Sequence, residues 1–141
     1  MRIWQGDKFQ DERGVLFHNN GLDLTKVKRT YIIENESTEL IRGWRGHKIE
    51  SRWFICVKGS VRVWVILLQN LEEKNSSDNI MTCFDLHENT IDCLEIPPGY
   101  ATAFQSLVDS SRLQCFSDYK VGEVVDDFLF PITQAKIYES V

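Results

Sequence analysis

Residues Arg52-Trp53-Phe54-Ile55-Cys56-Val57-Lys58-Gly59-Ser60-Val61-Arg62-Val63-Trp64-Val65-Ile66 decide the fold. Two runs of β-branched and aromatic residues flank a Lys-Gly-Ser turn, and the pattern repeats every two residues, not every 3.6, which is the periodicity of strands. The spacing predicts a hairpin. Outward from it, similar runs stand at Gly14–His18, Val27–Glu34, Ile80–Leu86, Ile91–Ile96, Ala101–Leu107 and Arg112–Phe116. Turn residues such as Asn19-Asn20-Gly21, Glu88-Asn89 and Pro97-Pro98-Gly99 bound them. Many short strands with close turns predict an all-β sandwich or barrel. The polar stretch Leu71–Asn79 reads as a solvated hairpin connection. The acidic cluster Glu123, Asp126 and Asp127, followed by Phe128-Leu129-Phe130-Pro131, reads as a short terminal helix or turn docked on the sheet.

The chain has 141 residues, 43% of them hydrophobic. That predicts one domain over residues 1–141, with a core that needs no disulfide or metal staple, and it excludes disorder. The longest apolar run, Val63–Leu68, is about a third of a membrane-spanning helix. The start, Met1-Arg2-Ile3-Trp4-Gln5-Gly6-Asp7, has no signal-peptide core, so a cytoplasmic protein without a membrane partner is expected. A formal charge of -5 argues against a nucleic-acid partner, which calls for a basic face. Cys56, Cys83, Cys93 and Cys115 fall in apolar runs with no C-x-x-C spacing, and are expected to pack as small hydrophobes in a reducing compartment.

Positive charge is concentrated in one span of this acidic chain. Arg42, Arg45, His47, Lys48 and Arg52 are interleaved with Trp44 and opposed locally only by Glu50. If the span is extended, the period of two sends Arg45 and His47 to one face of a sheet. The bland alternative is a solvated edge. The spacing, however, resembles the first motif of the cupin family: H-x-H, four residues, Glu, six residues, Gly. Arg45, His47, Arg52 and Gly59 stand at those positions. The second cupin motif, P-x-G-x-x-H, is similar to Pro97-Pro98-Gly99-Tyr100-Ala101-Thr102. The resemblance implies a cupin fold, a double-stranded β-helix or jelly-roll barrel. Three of the four positions that hold metal in metal-binding cupins are Arg45, Arg52 and Thr102 here, which leaves His47 alone as a ligand. Two guanidinium groups at ligand positions repel a cation, so no metal and no other cofactor is expected. That ligand count also excludes a metal-dependent dioxygenase or phosphomannose isomerase.

Within cupins, the chain resembles the metal-free nucleotide-sugar group. That group comprises the dTDP-4-dehydrorhamnose 3,5-epimerases and the shorter dTDP-4-keto-6-deoxyhexose 3,4-ketoisomerases, WxcM-like proteins among them. Three stretches carry the likeness. Asp11-Glu12-Arg13-Gly14 is similar to the D-x-R-G turn. Arg42-Gly43-Trp44-Arg45-Gly46-His47-Lys48, with Ile55-Cys56-Val57-Lys58-Gly59-Ser60, is similar to R-G-F-H-A-H-K and I-C-V-x-G-S of the ketoisomerases. Ile96–Phe104 is close to the epimerases' I-P-x-G-F-A-H-G-F, and Ser117-Asp118-Tyr119 to the ketoisomerases' S-D-Y.

The resemblance implies an isomerase that moves a proton beside the ketone of a dTDP-4-keto-6-deoxy sugar in bacterial surface-polysaccharide synthesis. Length favours 3,4-ketoisomerisation over 3,5-epimerisation. Imidazole has the pKa such a proton transfer needs, which makes His47 the candidate base. Arg45, at the position of the epimerases' base histidine, becomes the candidate stabiliser of the enediolate oxyanion. Tyr31 and Tyr119 are candidate proton donors or sugar contacts. Arg13, Arg42, Arg52, Trp44 and Thr102 are candidate substrate-binding residues, with Arg13 reaching the diphosphate across a homodimer that exchanges N-terminal strands. Arg45 and Thr102, standing where relatives carry histidine, leave open a second reading, a catalytically inactive cupin that only binds a nucleotide sugar.

Overall fold

The computed structural model describes residues 1–73 and 81–135. Its strands are β1 (Arg2–Trp4), β2 (Asp7–Asp11), β3 (Gly14–His18), β4 (Arg29–Ile33), β5 (Ile41–His47), β6 (Arg52–Lys58), β7 (Ser60–Leu67), β8 (Met81–His87), β9 (Cys93–Ile96), β10 (Tyr100–Ser106), β11 (Arg112–Ser117) and β12 (Phe128–Phe130), with one short helix, α1 (Leu68–Glu72). They form two five-stranded antiparallel sheets, in the orders β1-β9-β6-β11-β4 and β12-β5-β10-β7-β8. The core lies between them. Phe54, Cys56, Leu94, Ile96, Leu113 and Cys115 of the first sheet meet Val61, Val63, Val65, Leu86 and Phe104 of the second. Phe54 and Phe104 touch edge to face, 5.1 Å between ring centres. The second sheet is covered on its outer side too, where Trp44, Trp64, Ile66, Ala101 and Ala103 pack with Leu68 and Leu71 of α1. Burial on both faces is why Val61–Ile66 is almost unbroken in apolar residues, as a two-sided strand requires.

That two-sided burial corrects the expected hairpin. β6 pairs with β9 and β11, whereas β7 pairs with β10 and β8. The Lys58-Gly59-Ser60 turn therefore carries the chain from one sheet to the other, and the two inward rows meet face to face across the sandwich. Gly59 makes this possible. Its φ is +73°, and a Cβ there would sit 2.2 Å from Ser111 Oγ. Composition alone does not distinguish such an arch from a hairpin.

Three further expectations change. Phe128–Phe130 is neither helix nor turn but an edge strand, pairing Phe128 with Gly46, Leu129 with Arg45 and Phe130 with Trp44. A short 3-10 turn, Ile132–Gln134, follows it. The connection from β7 to the antiparallel β8 starts with α1, whose Leu68 and Leu71 are buried. The rest of that expected solvated loop, 74–79, lies outside the described residues. Cys56, Cys93 and Cys115 are buried as expected, but Cys83 is on the exposed side of β8.

β2 and β3 form a two-stranded ribbon apart from both sheets, with Phe9, Val15, Leu16 and Phe17 exposed. No described helix is long and apolar enough to cross a membrane.

Candidate active site

A bulge on β5 assembles the site. Its register against β10 runs His47 to Tyr100, Gly46 to Ala101 and Arg45 to Thr102, then jumps to Arg42 opposite Phe104. Gly43 and Trp44 thus share one partner position, and the alternation of faces resets between Arg45 and Arg42. Arg42, Arg45 and His47 all face the inner side. Trp44, 1% exposed, points the other way into the outer cluster, so its ring packs as core. Gly46 is close-packed: a Cβ there would lie 2.6 Å from Leu68 Cδ1.

Two adjoining hollows open on this side. The larger, about 470 Å³, lies in the seam between β4 and β12, with Tyr31, Arg42, Arg45, Arg52, Phe104 and Leu129 in its wall. The smaller, about 240 Å³, shares Tyr31 and Arg45 with it and adds His47, Glu50, Asp126 and Asp127.

Arg52 is the unusual member. It is 2% exposed, yet it lacks a carboxylate partner within ion-pair distance among the described residues. Its Nη1 donates to Thr102 Oγ1 at 2.8 Å and its Nη2 to the Arg45 carbonyl at 3.5 Å, while Nε has no partner. Burial pulls its pKa down from the usual value, but a guanidinium stays charged in proteins. Glu50 lies close enough to favour that charge but makes no ion pair with it, so the cation on this cavity wall is only partly compensated.

His47 is 3% exposed. Its Nδ1 lies 2.7 Å from the main-chain oxygen of Asp126. A carbonyl only accepts, so Nδ1 carries the proton and Nε2 holds the lone pair. Burial first, then the Arg52 charge, hold His47 below the ordinary imidazole pKa, which keeps it neutral and able to take a proton. Tyr31 is pushed up to about 12, chiefly by burial, and so keeps its proton to donate. Arg29 stacks on its ring, 5.0 Å from the centre.

The remaining sequence candidates are distributed differently. Thr102 is wholly buried and engaged with Arg52. Tyr119 lines neither hollow; it sits under the Lys28 amine, 5.4 Å from ring centre to nitrogen. Arg13 is at the tip of the β2–β3 ribbon, its side chain 79% exposed and paired with Asp11. Glu50 is also not the only counter-charge of the basic span. Asp126 and Asp127 approach His47, and Glu72 pairs with Lys48 at 2.8 Å.

The structure also corrects the ligand count. His47, Glu50 and Asp126 are all buried, with ligating atoms within 4.8 Å of one another, so His47 is not alone. The donor set is already engaged, however. Nδ1, the nitrogen facing the carboxylates, is protonated, and the Asp126 carboxylate accepts three backbone N–H groups. The three residues fit an internal hydrogen-bond network better than a cation cage.

The profile of the family described as WxcM-like, C-terminal (FdtA) matches residues 1–119. The chain belongs to that family. A search of curated proteins finds no match for this WxcM-like chain. Solved structures share its fold. One is a mutant of the 3,4-ketoisomerase QdtA from Thermoanaerobacterium thermosaccharolyticum in complex with TDP-4-keto-6-deoxyglucose, 17% identical, covering 90% of this chain and 85% of that one at a TM-score of 0.68. A dTDP sugar isomerase from Desulfovibrio desulfuricans is 18% identical over 92% and 83%, with a TM-score of 0.69. A dTDP-4-dehydrorhamnose 3,5-epimerase from Bacillus anthracis, with TDP and PPi bound, is 16% identical over 89% and 75%, with a TM-score of 0.67. The WxcM-like chain is thus an all-β cupin barrel, as its motifs implied.

Sequence reasoning did not assign Phe104, Leu129, Glu50 or Asp126 to the site. Only one local signal pointed to the last: Asp126-Asp127 directly precedes an apolar run, a charged pair where a strand begins.

Proposed function

We propose that the protein is an isomerase acting on a dTDP-4-keto-6-deoxy sugar by proton transfer beside the ketone, 3,4-ketoisomerisation ahead of 3,5-epimerisation. The observation that carries this reading is the conjunction of Arg52, a buried cation with no ion pair among the described residues, and His47, a neutral imidazole of fixed tautomer, in adjoining hollows. The C–H bonds next to a ketone are made acidic by the carbonyl. His47 Nε2 takes the C3 proton, the bonding pair moves into C3=C4, and negative charge develops on O4. Arg45, on the wall shared by both hollows, stabilises that oxyanion. Return of a proton to C4, with loss of the O3 proton, moves the ketone to C3. Tyr31 is placed to exchange protons with the sugar oxygens. Arg42 and Arg52 hold the anionic part of the substrate, where guanidinium forks suit phosphate.

The diphosphate end involves a homodimer. A lone two-stranded ribbon is marginal in water, and the β2–β3 ribbon exposes four large apolar side chains. A second copy covering it buries them and brings Arg13 toward the partner's hollow. We assign Arg13 that role. The protein then works as a soluble cytoplasmic enzyme in deoxysugar synthesis for surface polysaccharide.

Incubation with dTDP-4-keto-6-deoxyglucose in deuterated water tests the reading. Enolisation exchanges deuterium into a carbon beside the ketone. Tight dTDP-sugar binding with no exchange overturns the isomerase and leaves a cupin that only binds.

A further inference from the structure

The strap between β11 and β12 lines the smaller hollow and is anchored to the site by Asp126, which is 5% exposed. Its carboxylate sits against the turn joining β5 to β6. Oδ1 accepts the Lys48 N–H at 2.7 Å, and Oδ2 accepts those of Ile49 and Glu50 at 2.9 and 2.8 Å. The same residue's main-chain oxygen takes the His47 Nδ1–H. One side chain thus ties strap to turn, and one carbonyl reads the ring. Glu50, 7% exposed, sets Oε2 3.4 Å from the same Nδ1, with its other oxygen 3.4 Å from Arg29. Asp127 Oδ1 is 3.8 Å from Nδ1 and 3.9 Å from Arg45 Nε. Charge reaches the ring's surroundings as Arg52 from β6, Arg45 from β5, Glu50 from the turn, and Asp126 and Asp127 from the strap; Arg29 of β4 and Lys120 of the strap line the same hollow, and β10 sets Tyr100 opposite His47.

We propose that Asp126 and Glu50 are positioning residues for His47. Asp126 fixes the Nδ1–H tautomer so that Nε2 is the proton acceptor, and Glu50 supplies the counter-charge for the imidazolium. The proposal rests on the reading of His47 as the base, but its two physical parts hold for the protein without substrate. A buried imidazole that gains a proton beside the Arg52 cation needs a nearby anion, and Glu50 is half-shared with Arg29, which leaves one oxygen to His47. Both residues act through the ring.

Nitrogen-15 NMR of labelled full-length protein tests it. In the native protein, above the His47 titration, Nδ1 shows the protonated type of shift and Nε2 the unprotonated type. Glu50→Gln keeps that tautomer and lowers the His47 titration midpoint by about 1 to 3 pH units. Asp126→Asn keeps the main-chain oxygen but loses carboxylate bonds to the turn, so the strap that carries that oxygen loosens, the fixed tautomer loses population, and kcat falls while dTDP affinity is retained. A native proton on Nε2, or an unmoved midpoint in Glu50→Gln, overturns the proposal. Neither measurement needs the Asp126→Asn protein to fold. Native Nδ1–H in a protein that exchanges no deuterium removes the isomerase and leaves the positioning intact; exchange with the proton on Nε2 does the reverse.

Discussion

Replacing Arg52 and Thr102 together by Met and Val separates what the fold needs from what a ligand needs. Arg52 is buried, and its two hydrogen bonds reach only neutral oxygens, one of them at the 3.5 Å limit. Holding an ion out of water still costs several kcal/mol after relaxation, and Glu50, too far away for an ion pair, offsets it only in part. Exchanging a buried charged group and its partner for apolar residues of similar shape is neutral or stabilising, by about 1–4 kcal/mol where the charge is poorly compensated. At this chain length that raises Tm by about 3 °C per kcal/mol. Arg52→Met alone strands the Thr102 hydroxyl without its donor, at about 1–3 kcal/mol, so the single variant is less stable than the double. Affinity for dTDP moves oppositely. A charged hydrogen bond is worth about 1.5–3 kcal/mol, so Kd rises about 10- to 150-fold. Urea unfolding and titration calorimetry with dTDP read the two effects. A double variant that is less stable than the native protein and binds dTDP equally well refutes the reasoning, because the cation would then serve the sandwich.

Four other outcomes are expected. Folded His47 is held below the roughly 6.5 of an unfolded chain, so on acidification the unfolded state takes up a proton first. Its contribution to stability is complete above about pH 6.5 and is lost as pH falls below it, until the folded ring titrates; His47→Gln flattens that limb in urea melts at stepped pH. Gly59→Ala forces a positive φ on alanine and a Cβ against Ser111, and costs roughly 2 kcal/mol or more by urea melt; an unchanged midpoint contradicts the arch described at Gly59. Arg13→Ala weakens dTDP binding in calorimetry with Tm unchanged, since its Asp11 pair is exposed; full affinity removes Arg13 from the site. Leu16→Asp, on the exposed ribbon, gives a monomer by analytical ultracentrifugation, whereas a dimer that persists places the interface elsewhere.

Most strand positions were legible because apolar, β-branched runs bounded by turn residues mark them, and Gly14–His18 and Arg112–Phe116 match their strands almost to the residue, whereas β1 and β2 were not read from the sequence. Pairing was not. A hairpin and an inter-sheet arch use the same apolar runs and the same Gly-containing turn, and what separates them is whether the inward rows lie side by side or face to face. That depends on β9, β10 and β11, all later in the chain. β12 was missed for a related reason. Phe128-Leu129-Phe130 is too short to show a period, and it becomes a strand by completing the free edge of β5.

The site divides along the same line between local and long-range information. Arg45 and His47 share a face through alternation, which is local, and the sequence alone carries it. Arg42 joins them only through a bulge, and strict alternation would have put it with Trp44 on the outer side. The charge balance is less local still. Within its own span, His47 is surrounded by cations, a setting that favours the neutral ring and leaves Glu50 as the one local support for an imidazolium. The anions near Nδ1 include Asp126 and Asp127, about eighty residues onward, together with Glu50, whose backbone N–H Asp126 also anchors. One basic strand thus supplies anion-seeking charge to the larger hollow and an imidazole to the smaller. A strap from the end of the fold decides which of the two ring nitrogens is left free to accept a proton.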